Sequence, residues 1–100
     1  MNAKLGQLDS NSVLEQLPEI VWRSVAGETV LLDLEGSVLM GLNGSAGRMW
    51  EHIDGKRSLG ELAILLADLY EQDEGQVLQD LLRFAETLLD SNLARVLDAT

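Results

Sequence analysis

The chain has 100 residues, 46% hydrophobic and 24% charged, the balance of one ordinary globular domain and not of a disordered segment or a pair of domains. Its 17 Asp and Glu stand against 7 Lys and Arg, a net charge of −10 with the single histidine neutral, so long-range electrostatics repel DNA and acidic membrane and favour basic or neutral partners. With no cysteine, disulfides, thiolate nucleophiles, iron–sulfur clusters and cysteine-bound zinc are excluded. Neither a signal-like apolar stretch near the start nor an apolar run of membrane-spanning length is present, and the expectation is a cytoplasmic protein.

Residues 1–19 mix Asn, Ser, Gln and Asp with scattered leucines and end beside Pro18; without a sustained period they read as a flexible N-terminal arm. From Ile20 three β-rich runs follow, separated by glycine turns at Gly27 and Gly36, the pattern of a three-stranded meander. Alternation places Val30, Leu32 and Leu34 on one face of the second run and Val38, Met40 and Leu42 on one face of the third, and both rows are expected to meet the core.

After Asn43 the period turns helical. Ala46, Met49, Trp50 and Ile53 fall at i, i+3, i+4 and i+7, predicting a helix from about Ser45 to Asp54 that ends at Gly55. Ser58 followed three residues later by Glu61 is a capping-box start for a second helix, and Asp73 with Gln76 repeats that spacing for a third, which runs to about Ser91. Leu93 to Val96 reads as a short closing strand, with residues 97–100 as a tail. The expected class is therefore α+β, a three-stranded antiparallel sheet followed by three helices, with residues 20–96 as the folded domain.

At 100° per residue the apolar side chains of the third helix, from Val77 to Leu89, spread over roughly 160°. That is broader than the roughly 100° stripe of a simple surface helix, so the helix either packs on two neighbours or keeps one apolar edge, Leu78, Leu82 and Leu89, beside an open groove.

Catalytic groups are scarce. His52 is the only histidine and has no nucleophile motif around it; no EF-hand spacing organises the acids, and Gly41, Gly44 and Gly47 lack the lysine of a phosphate loop. No enzyme activity, cofactor or metal is expected. Ser91 within Leu89-Asp90-Ser91-Asn92-Leu93 only partly matches an acyl-carrier attachment site, since Asn92 replaces leucine and the serine closes a helix instead of opening one.

Binding classes remain. Three strands and three helices suit a winged helix-turn-helix, and a DNA-binding winged-helix regulator is the alternative function. Electrostatics oppose it, because Ser58 to Ser91 carries eight acidic residues against Arg83 alone, a net charge of −7. Peptide capture fits better. The third run, Ser37 to Leu42, has neither the charge nor the proline that usually blunts an edge strand. It would be covered by the arm, paired with a second copy, or left as a rail for an extended peptide.

The series Gly27-Glu28-Thr29-Val30-Leu31-Leu32-Asp33, Met40-Gly41-Leu42-Asn43, Gly47-Arg48-Met49-Trp50-Glu51, Asp54-Gly55, Ser58-Leu59-Gly60-Glu61-Leu62 and Asp80-Leu81-Leu82-Arg83-Phe84, closed by Leu93, resembles the PqqD-like family over about residues 20–96. Asn92 stands where members commonly carry glycine, and Leu39 and Met40 where lasso-type members are often aromatic. The resemblance implies a winged helix-turn-helix fold used as a recognition element for ribosomally made, modified peptides. It adds the leader segment of a precursor as a strand and presents it to a maturation enzyme such as a leader peptidase or a radical-SAM enzyme, in pyrroloquinoline quinone or lasso-peptide biosynthesis. On this reading Val38, Leu39, Met40, Gly41 and Leu42 are the backbone rail, Leu78, Leu82 and Ala85 the apolar wall, and Arg83 a partner for an acidic leader residue. Neither nucleic acid nor membrane is an expected partner, and the chain is expected to be a monomer or weak homodimer.

Overall fold

The computed structural model describes residues 8–97. Their elements run β1 (Val13–Gln16), β2 (Val21–Val25), β3 (Glu28–Leu32), β4 (Val38–Leu42), α1 (Gly44–His52), α2 (Leu59–Tyr70), α3 (Glu74–Asp90) and β5 (Ala94–Leu97). The expected meander is present as an antiparallel sheet in the order β2-β3-β4. Ala26 and Gly27 turn the first hairpin with φ values of 51° and 83°, the primed-turn geometry that matches the twist of paired strands. At the second hairpin Asp33 Oδ1 accepts the N–H groups of Glu35 and Ser37, each at 2.9 Å.

The core-facing row of β3 differs from the expected one. Thr29 and Leu31 are buried, Val30 and Leu32 are only half-buried, and Leu34 lies beyond the strand with 72% of its surface exposed. The run Thr-Val-Leu-Leu is apolar in both phases, so alternation cannot choose between them. The choice is made by α1, which packs on this sheet through Gly47: a Cβ there would stand 2.5 Å from Thr29 Oγ1, and only glycine allows so close an approach. On β4, Met40 and Leu42 do turn to the core, but Val38 remains 67% exposed. Leu31 pairs with Met40 whereas Leu32 pairs with Val38, so Leu39 is an extra residue and the bulge breaks the two-residue period.

The helix starts follow their caps. Asn43 Oδ1 accepts the Ala46 N–H at 3.0 Å. Ser58 and Glu61 form a reciprocal capping box, and Asp73 Oδ2 accepts the Gln76 N–H at 2.9 Å. The Gln76 side chain does not return to its cap; it donates to Asp80 Oδ1 at 3.0 Å. α1 ends at His52, before the expected Asp54, because the Asp54 carboxylate is committed to the next turn, where it accepts the N–H groups of Lys56 and Arg57. Burial pushes the Asp54 carboxyl upward, yet those two N–H groups and the Arg57 guanidinium outweigh it and hold the group below the usual aspartate value.

Part of the expected N-terminal arm is a docked element. β1 pairs antiparallel with β5, from Val13 opposite Leu97 to Gln16 opposite Ala94, and Leu14 is only 2% exposed within the core. Ser10 and Ser12 carbonyls accept the N–H groups of Gly60 and Leu59, and Glu15 pairs with Arg95. A four-residue strand is too short to show a period, and its partner lies some 80 residues away, so local sequence could not reveal it. Residues 1–7 of that arm and 98–100 of the expected tail lie outside the described residues. The core gathers Trp50, Leu31, Leu59, Leu62, Leu81 and Leu88 between sheet and helices. The α+β class stands, although a winged helix-turn-helix is a loose label for it, since β1 and β5 add a second ribbon. Among the described residues no helix is long and apolar enough to cross a membrane.

Candidate functional site: the open edge of β4

The meander leaves two edges, β2 and β4. Every residue of β2 is exposed and its middle carries Arg23, a charge of the kind that blunts an edge strand. At β4 the situation differs. Its one strand partner is β3, and no described residue outside the sheet makes a backbone hydrogen bond to it. Of the arm, Val13 to Gln16 pair with β5 and not with β4. Val38, Leu39 and Gly41 are exposed, while Met40 and Leu42 anchor the strand to the core. Among the described residues, the outer row of β4 N–H and C=O groups is therefore unpaired and the strand is anchored to the core, the requirement for strand addition.

Beside the C-terminal end of β4 lies a depression of about 410 Å³, lined by Asn43, Ser45, Ala46 and Met49 on one wall and Asp80, Arg83, Phe84 and Thr87 on the other. The first wall is the cap and opening turns of α1. The second is a single stripe of α3 at i, i+3, i+4 and i+7, the spacing of one helical face. Met49 and Phe84 are half-buried and pack against the core, so they form an apolar floor; Asn43, Ser45, Asp80, Arg83 and Thr87 form a polar rim. Apolar floors with a few convergent polar groups are the usual form of a recognition cleft.

The residues expected on α3 divide. Arg83 reaches the depression. Ala85 is 1% exposed and faces the core, so it has no surface to offer a ligand. Leu82 lies on the opposite flank, where it lines a smaller hollow of about 250 Å³ with Gln79, Arg83 and Glu86. Leu78 is half-buried against the core and lines neither hollow, and Leu89 is buried. The broad apolar arc thus has two edges, and the one beside β4 is the Phe84 edge. Phe84 was visible in the sequence as the other margin of the arc; Asn43, Ser45, Ala46, Met49, Asp80 and Thr87 gave no individual signal, because α1 and α3 meet only in three dimensions.

The His52 Nδ1 atom sits 2.7 Å from the Arg48 carbonyl oxygen on its own helix, and the Arg48 guanidinium lies over the Tyr70 ring, 4.4 Å from its centroid. Among the described residues no three His, Asp or Glu side chains converge as metal ligands.

Comparison with known proteins places this geometry. The family model described as coenzyme PQQ synthesis protein D (PqqD) matches residues 28–94. One similar solved structure is TbiB1 in complex with the TbiA(beta) leader peptide, 23% identical, with a TM-score of 0.68 and covering 81% of this chain and 94% of that one. Another is the solution NMR structure of the PqqD truncation of Methylobacterium extorquens PqqCD. It is described as a functional, stand-alone recognition element for ribosomally synthesised and post-translationally modified peptides. It is 18% identical, with a TM-score of 0.79 and covering 94% of this chain and 99% of that one. At these identities the likeness establishes the fold. No curated protein sequence matches the chain.

Proposed function

The chain belongs to the PqqD family, and from that premise and the open β4 edge we propose that it binds the leader segment of a ribosomally made precursor peptide by strand addition. The leader pairs with Val38 to Leu42 while alternate side chains settle into the depression between α1 and α3. The chain then presents the remainder of the precursor to a maturation enzyme, such as a leader peptidase or a radical-SAM enzyme, and takes no catalytic part itself. It works in the cytoplasm as a monomer or weak homodimer. The observation that carries this reading is that, among the described residues, β4 has no partner on its outer side, while the part of the arm that is described pairs with β5 through Val13 to Gln16. TbiB1, which shares the fold, is itself seen with a leader peptide. The DNA-reading alternative draws no support from the comparisons, and it would place α3, rich in Asp and Glu, against phosphates.

The test is selection of short random peptides displayed against the intact chain, followed by titration of a synthetic copy of an enriched sequence. A preformed cleft of this kind is expected to give micromolar or tighter affinity, roughly −8 kcal/mol, with the β4 amides slowed in hydrogen exchange on binding. Enriched peptides that leave β4 exchange unchanged, or no enrichment at all, contradict the proposal.

A further inference from the structure

Arg83 is the one positive charge on α2 and α3. It borders both hollows on α3, and among the described residues no carboxylate lies within ion-pair distance of it. Asp80, which lines the depression with it, accepts the Gln76 side chain at 3.0 Å, and Glu86 lines the other hollow. A peptide laid along β4 and over the depression removes water from the Arg83 guanidinium. A guanidinium has five donors and cannot shed its charge, so covering it without a counter-charge is costly. A backbone carbonyl meets one donor; a carboxylate meets two and offsets the charge. The rest of the floor, Met49 and Phe84, asks for a bulky apolar side chain.

Resting on the leader-binding reading, we infer that the captured peptide carries an acidic residue two positions from a bulky apolar one, the apolar side chain on Met49 and Phe84 and the carboxylate on Arg83. The spacing follows from strand geometry. Residues i and i+2 share a face and lie about 7 Å apart, and Phe84 and Arg83 both line the depression, so both are reached from one side of an extended guest. The overall charge of −10 does not forbid this, because repulsion between exposed charges is screened beyond about 8 Å at physiological ionic strength, whereas the contact itself is local. The pair acts as a filter: it rejects leaders with a basic or neutral residue at that position.

The experiment pans one random-peptide library against the wild-type chain, Arg83→Glu and Arg83→Gln, each verified as folded by circular dichroism. Wild type is expected to enrich Asp or Glu two positions from a bulky apolar residue, Arg83→Glu to enrich Lys or Arg at that same position, and Arg83→Gln to show no charge preference there. In titration, exchanging the peptide's acid for lysine is expected to weaken wild-type binding about tenfold and to restore binding to Arg83→Glu. If wild type and Arg83→Glu enrich the same residue while both still slow β4 exchange, the Arg83 filter is wrong and leader capture stands. If β4 exchange is unaffected by every enriched peptide, leader capture itself is wrong.

Discussion

Replacing Trp50 with alanine is expected to cost the fold about 3–5 kcal/mol, a large part of the roughly 5–15 kcal/mol that holds a domain of this size. Trp50 is fully buried where α1 meets the sheet. Its carbonyl oxygen also accepts the Gln16 side chain at 2.8 Å, which ties α1 to the end of β1. The indole N–H has no hydrogen-bond partner among the described residues, and the ring contributes through packing. Trp50→Phe removes that donor and keeps most of the volume, and is expected to lose far less than Trp50→Ala. Urea unfolding followed by circular dichroism measures both; equal losses in the two variants would contradict this assignment of Trp50 to packing.

The second large effect concerns recognition. Phe84→Ala is expected to weaken binding of a selected peptide by about 2 kcal/mol or more, some thirtyfold, because it removes the aromatic floor of the depression and aromatic anchors dominate such interfaces. Leu82→Ala, about half a turn around α3 on the other flank, is expected to change affinity little. Both side chains are only half-buried, so both variants should fold. Fluorescence anisotropy with a labelled peptide distinguishes them, and a greater loss for Leu82→Ala would move the ligand to the opposite side of the helix.

That contrast also marks where sequence stops being informative. Caps are local devices, so Ser58 with Glu61 and Asp73 ahead of Gln76 announced the two long helices correctly, and the glycine turns announced the meander. The identity of β4 as an unblunted edge was likewise legible, since nothing in Val38 to Leu42 is charged or cyclic. What failed was everything set by distant contacts. Leu31 displaced Val30 and Leu32 from the core because Gly47 brings a helix against Thr29, and Leu39 shifted the phase of β4 by forming a bulge. β1 found its partner at the far end of the chain. The flank of α3 that borders the depression was missed for the same reason: a helix with two apolar edges does not say which one faces α1, and the expected wall of Leu78, Leu82 and Ala85 does not line it.

The most direct test of strand addition leaves the protein untouched and alters the guest backbone. A selected peptide is resynthesised with a single N-methyl group at each position in turn, and each copy is titrated against the intact chain. If the guest pairs with β4, every second N–H is bonded to it, and methylation is expected to weaken binding at alternate positions by about tenfold or more while the intervening positions tolerate it. Uniform tolerance, or a loss recurring every three to four residues as for a helical guest, would contradict the account.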